Sequence, residues 1–110
     1  MLKKVLILIV SFFMLNCSEE IKFNSSQWID WKESEANPNT RWLMVNDLLK
    51  KHDLKSYKKQ KIIELLGNPT TNKNNDFYYY LGYTGNGINT GTLIVKFKDD
   101  NVIKIEVIQG

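Results

Sequence analysis

The residues able to do chemistry in this chain of 110 are few and scattered. His52 is the single histidine and follows Lys50 and Lys51, a place where a helix C-terminus favours cations, so a dipole-friendly surface role fits it better than catalysis. Asp99 and Asp100 adjoin in D-D-N, a turn sequence in which aspartate is expected without any metal. Asp47 and Glu64 fall on different expected helices, and nothing in their spacing makes a general acid–base pair. The glycines of G-Y-T-G-N-G are followed by no helix, which a phosphate cradle requires. Metal sites need clustered ligands. The expectation is a protein that is not an enzyme, with no catalytic residue, no cofactor and no metal.

Cys17 is the single cysteine, so no intramolecular disulfide can form. It stands in M-L-N-C-S-E-E, where an apolar run gives way to charge. Before it come M-L-K-K and then Val5 to Leu15, with one polar residue. As a helix that run spans about 16 Å at ~1.5 Å per residue, short of the roughly 20 residues a bilayer core needs. A basic start followed by an apolar stretch of this length is a signal-peptide pattern. The ending Leu15-Asn16-Cys17 resembles the lipobox of bacterial lipoproteins. There the cysteine thiol takes a diacylglyceryl group, the leader is removed, and the cysteine becomes the first residue. Met14 and Asn16 stand where that pattern prefers a leucine and a small residue. The resemblance implies a cleaved signal peptide over 1–16 and a lipidated Cys17. A secreted protein with a buried cysteine, or an uncleaved short anchor, are the other readings. Acylation would remove an exposed thiol from an oxidising compartment and would hold the chain more firmly than one myristoyl group can.

The formal net charge is +3, from 15 basic and 12 acidic residues. Removing Lys3 and Lys4 with the leader leaves 13 against 12, a net +1, which argues against a nucleic-acid partner. What remains is long enough for one modest core. Residues 17–39 read as a lipidated tether or arm, polar apart from W-I-D-W. Trp28 and Trp31 lie three apart, so one face of a helical turn can carry both. They pack back on the domain, or enter a partner's pocket, or sit at a membrane interface.

Residues 40–110 must supply the scaffold. R-W-L-M-V-N-D-L-L-K-K-H predicts a helix with apolar residues at 42, 45, 48 and 49, flanked by 44 and capped by Asn37 or Asn39. A second helix is expected from the N-cap Ser56, burying residues 62, 63, 65 and 66 and stopping at Gly67 and Pro69. Lys58 and Lys59 in its first turn oppose the helix dipole. Three strands follow: D-F-Y-Y-Y-L-G-Y, T-L-I-V-K-F-K and V-I-K-I-E-V-I. Across the D-D-N turn the spacing predicts Phe97 opposite Ile103, Val95 opposite Ile105 and Leu93 opposite Val107. The expected fold is α+β: two helices on one face of a three-stranded antiparallel sheet (ααβββ), a two-layer sandwich.

Two surfaces invite binding. Lys50, Lys51, Lys55, Lys58, Lys59 and Lys61 crowd the inter-helix region, either as a solvated face or as a seat for anionic headgroups or an acidic partner. Alternation in the first strand puts Phe77, Tyr79, Leu81 and Tyr83 on one face and Tyr78 and Tyr80 on the other. An outward tyrosine pair is a surface that anchors protein partners, or else plain sheet propensity. The candidate partner surface is therefore Tyr78, Tyr80, Trp28 and Trp31.

R-x-x-M-V-x-D-L-L at 41–49, L-L-G-N-P at 65–69, Y-Y-Y-L-G at 78–82 and L-I-V-K-F-K-D-D-N-V at 93–102 together resemble the SmpA/OmlA (BamE-like) small envelope lipoproteins. More broadly they resemble the β-lactamase-inhibitor-protein fold. The resemblance covers roughly residues 40–108. The tryptophan arm and the loop at Thr84 to Thr90 are this chain's own. It implies a lipid-anchored, non-catalytic envelope protein that binds other proteins and helps build or maintain the outer membrane. A second implication is an inhibitor or ligand-binding module acting on an envelope hydrolase. No small-molecule substrate is indicated. Ser18 stands where an aspartate would signal inner-membrane retention, and Glu19-Glu20 resembles the acidic export tag of surface lipoproteins, so the outer membrane is expected, with surface display open.

Overall fold

A computed structural model describes residues 20–110, and both the expected leader and Cys17 lie outside the described residues. The helices are α1 (Ser25–Asp30), α2 (Thr40–Lys51) and α3 (Lys59–Leu66), with a 3-10 turn at Leu54–Ser56. The strands are β1 (Thr71–Lys73), β2 (Asp76–Tyr83), β3 (Thr90–Lys98) and β4 (Asn101–Gln109). The result is a mixed α+β fold with helices packed against an antiparallel sheet of order β1-β2-β3-β4.

The sheet thus has four strands, where three were expected. The added strand, Thr71–Lys73, is short, polar and exposed throughout, so it carries no hydrophobic signal. It is held by its turn. Asn74 and Asn75 both adopt positive φ, 53° and 69°, as a primed two-residue hairpin turn requires, and Lys73 then pairs with Asp76.

In α2 the buried stripe is Arg41, Met44, Val45 and Leu48, the i, i+3, i+4, i+7 spacing of one helix face. Met44, Val45 and Leu48 are buried as expected, whereas Arg41 takes the place expected for Trp42 and Leu49 is left exposed. Trp42 instead leans on Gly91, where a Cβ would come within 2.5 Å of the indole. Helix α3 begins at Lys59 rather than at Ser56, whose hydroxyl donates to the Asp53 carbonyl at 2.7 Å and closes the 3-10 turn. Ile62 and Leu66 enter the core, and the helix stops at Gly67 with φ 76° and ψ −171°, a region almost confined to glycine.

The β3–β4 register matches the expectation at Val95–Ile105 and Leu93–Val107 but shifts at a bulge, so Phe97 faces Val102. Val102 is consequently 6% exposed and Ile103 53%. The connection before α3 supplies the reason. Val102 N–H donates to the Tyr57 carbonyl at 3.2 Å, and Lys59 N–H to the Asp100 carbonyl at 2.8 Å. The bulge re-aims this end of β4 onto that segment.

Residues of the expected tether are woven into this body. Ile21 N–H donates to the Leu43 carbonyl at 2.9 Å, Phe23 N–H to Asp47 Oδ2 at 2.7 Å, and Asn24 caps α1 through the Gln27 N–H. Helix α1 delivers Trp28 into the core, fully buried in one cluster with Met44, Leu48, Ile62 and Tyr79. Its ring meets Phe23 and Tyr79 edge-on at 5.8 and 6.3 Å, the arrangement aromatic quadrupoles favour. As a partner-surface residue Trp28 is therefore corrected: it is core.

Candidate functional site

The alternation of β2 divides its aromatics. Phe77, Tyr79 and Leu81 join the helix-packed core, while Tyr78 and Tyr80 project to the second face and stay half-buried. Across the sheet Tyr78 pairs with Ile94 and Tyr80 with Thr92. These side chains border a groove of about 280 Å³ lined by Thr70, Thr71, Lys73, Tyr78, Tyr80 and Thr92. Beside it, Ile94 is buried without belonging to the main core cluster, so this face carries a small apolar centre of its own.

The arm braces one of these lining residues, Tyr80. Trp31 stacks on Tyr80 with centroids 6.1 Å apart and planes at 21°, and its Nε1 donates to the Asn37 carbonyl at 2.8 Å. The Tyr80 hydroxyl donates to Glu33 Oε2 at 3.0 Å, and the Tyr80 N–H to Thr70 Oγ1 at 3.0 Å. Arg41 holds the same cluster together. Its guanidinium carbon lies 5.2 Å from the Trp28 ring and 5.5 Å from the Trp31 ring, close enough for cation–π attraction to both. Its Nη1 donates to the Tyr80 carbonyl at 3.3 Å.

Burial, reinforced by the hydrogen bond to Glu33 and its charge, pushes the Tyr80 hydroxyl up to about 12. Burial also raises Tyr79, whose hydroxyl donates to the Gly67 carbonyl at 2.8 Å. Both phenols are therefore neutral hydrogen-bond donors at ordinary pH. Burial lowers the Arg41 pKa, yet guanidinium stays charged. Among the described residues no group of three His, Cys, Asp or Glu is placed to hold a metal ion.

Three of the four proposed aromatic contacts converge here: Tyr78 and Tyr80 line the groove and Trp31 backs it. Cys17 lies outside the described residues. The lysine run breaks up into local partnerships. Lys50 meets Glu20 at 3.5 Å and Lys51 meets Asp47 at 3.2 Å, while Lys59 covers the Phe97 ring and Lys61 the Tyr57 ring. His52 Nδ1 lies 2.8 Å from the Tyr57 hydroxyl. Asp99 holds the β3–β4 turn at φ 57°. Sequence reasoning missed Glu33, Thr70, Thr92 and Ile94. Only Ile94 left a signal, because L-I-V breaks the alternation and so announces a strand buried on both faces.

Neither family models, nor curated proteins, nor solved structures show a match to this chain.

Proposed function

We propose that this chain is a lipid-anchored, non-catalytic envelope protein whose α+β domain, arranged as a two-layer sandwich, binds a protein partner through the second face of its sheet. The observation that carries this is the outward pair Tyr78 and Tyr80 beside a groove with hydroxyl walls and the buried Ile94. Aromatic rings give a partner large contact area at low entropic cost, and the threonine hydroxyls and Lys73 can satisfy its polar groups. The anchor follows from the likeness of Leu15-Asn16-Cys17 to a lipobox. A part in building or maintaining the outer membrane follows from the likeness to SmpA/OmlA proteins.

The test is capture from detergent-solubilised envelopes with tagged full-length chain. Wild type should retain a partner that Tyr78→Ala and Thr92→Glu lose; equal retention by all three would sink the assignment. Cys17→Ala should free the chain from membranes, and unchanged tight association would count against lipidation.

A second reading rests on the β2–β3 loop. Ile88, at its tip, is 89% exposed and preceded by Gly85 and Gly87 at positive φ, and the loop is closed by Thr84 N–H on the Asn89 carbonyl at 3.0 Å. An apolar tip on a braced loop suits insertion into an envelope hydrolase's cleft. Loss of capture in Ile88→Ser alone would favour that inhibitor reading. Turnover by the purified chain, abolished by one substitution, would overturn both.

A further inference from the structure

The chain ahead of α1 is strapped across α2. Besides the Ile21–Leu43 and Phe23–Asp47 bonds, Glu20 accepts from Asn46 Nδ2 at 3.1 Å and lies 3.5 Å from Lys50 Nζ. Asn46 and Lys50 stand about 200° round the helix from Met44 and Leu48, at ~100° per residue. Met44 and Leu48 are in the core with Tyr79 and Leu81 of the sheet. The strap therefore leaves the body on the outer side of its helices. Tyr78 and Tyr80 lie on the opposite side, across the sheet.

Cys17 is three residues before Glu20. Three residues reach at most about 11 Å. A helix ~10–12 Å across on a sheet, with layers ~10 Å apart, makes a body roughly 20 Å thick. A link about half as long as the body is thick keeps it from turning over. A flexible tether over all of 17–39 would instead span about 26 Å on average and leave every orientation open.

The surface at the exit suits a lipid boundary. Ile21 and Leu49 are each 37% exposed, and Lys22, Lys50 and Lys55 are exposed beside them in the chain. Leu49, Lys50 and Lys55 also border a groove of about 380 Å³ with His52 and Leu54. Apolar side chains can enter the headgroup layer while lysine stems lie along them and ammonium groups stay wet. The nearby carboxylates of Glu20 and Asp47 are met by Lys50 and Lys51.

We propose that this outer helical face, around Ile21, Lys22, Leu49 and Lys50, rests on the lipid surface that holds the anchor, and that the short link keeps it there. The inference rests on the lipidation of Cys17 proposed above. Its consequence is directional. The Tyr78–Tyr80 groove faces away from that membrane, so the partner presents a segment standing in the aqueous phase.

Acylation occupies the Cys17 sulfur, so a cysteine placed elsewhere is the one free thiol of the mature chain. The test uses the full lipidated chain in vesicles of phosphatidylethanolamine and phosphatidylglycerol, some headgroups carrying a nitroxide quencher. Lys22→Cys and Leu49→Cys report the helical side. Lys104→Cys and Ile108→Cys, paired with Lys96 and Thr92, report the far side of the sheet. Each carries one thiol-linked fluorophore, and circular dichroism confirms folding. Quenching should be several-fold stronger at Lys22→Cys and Leu49→Cys than at the other two. Chains that float with the vesicles yet quench equally, or more strongly on the sheet side, would overturn the orientation and leave the anchor intact. Chains that fail to float would overturn the anchor and the orientation with it. Inserting about 20 Gly and Ser residues after Ser18, a mean span of about 25 Å, should abolish the contrast. A contrast that survives the insertion would overturn the role given to the link.

Discussion

Arg41 Nε donates to the carbonyl of Trp28 at 2.9 Å while its guanidinium lies 5.2 Å from the same residue's ring. One buried cation therefore fixes both the backbone and the indole that the arm inserts into the core. Charge-assisted hydrogen bonds and ring contacts take the place of a carboxylate, and the planar fork reaches the Tyr80 carbonyl as well.

Arg41→Ala should destabilise the chain by about 3 kcal/mol, since it removes a charged hydrogen bond and leaves the Trp28 carbonyl without its donor. Arg41→Lys should recover little, because an ammonium lacks the fork that spans Trp28 and Tyr80. Urea titration of the three chains measures this. A loss below about 1 kcal/mol for Arg41→Ala would show the contacts to be incidental.

Gly82 and Gly85 both have φ near 90° yet differ in surroundings. A Cβ on Gly82 would lie 2.4 Å from the Pro38 carbonyl oxygen, whereas one on Gly85 meets nothing within 4 Å. Gly85→Ala should cost only backbone strain, on the order of 1 kcal/mol. Gly82→Ala should cost at least twice that, because the loop before α2 must move away and loosen the Tyr83 N–H bond to Pro38. Equal thermal midpoints for the two variants would contradict this.

The Tyr80 hydroxyl titrates near 12 in the fold against 10.0 for a free tyrosine, chiefly through burial and then through Glu33. A folded pKa above the unfolded one means that the folded chain holds the proton more tightly. The associated stability is complete below pH 10, declines above it, and is gone once pH passes about 12. Denaturation midpoints measured between those limits should fall for wild type and fall less for Tyr80→Phe. Parallel curves would remove Tyr80 from the alkaline transition.

Asp47 has its pKa lowered, first by the Phe23 N–H bond and further by Lys51 and Lys50. Here the folded pKa lies below the unfolded one, so this contribution is present above the ordinary aspartate value of 3.8 and is lost as pH falls through the folded value. The arm should accordingly open to limited proteolysis around residues 20–24 in acid. Asp47→Ala should open it at neutral pH, while Asp47→Asn, whose amide oxygen still accepts, should protect it. Identical cleavage rates in all three would detach Asp47 from this role.

Several features were legible in the residues because local physics decides them. Gly67 and Pro69 end a helix whatever surrounds it. The alternation of β2 separates Tyr78 and Tyr80 from Phe77 and Tyr79, and the spacing across D-D-N placed Val95 against Ile105 and Leu93 against Val107. Other features were invisible. Thr71–Lys73 pairs through backbone alone, so its side chains say nothing of a strand. On α2 the burial of Val45 and Leu48 was legible but that of Arg41 was not, because no periodicity argument assigns a cation to a core.

By itself, then, the chain determined its helix stops, its turn chemistry and which aromatics share a face, all set by dihedral preferences and two short periods. Only the tertiary structure decided that Trp28 is core while Trp31 stacks on Tyr80, that Val102 rather than Ile103 turns inward, and that Glu33 meets Tyr80 from 47 residues away. Each of those outcomes depends on a contact between distant segments, whose free energy appears only once the intervening chain has folded.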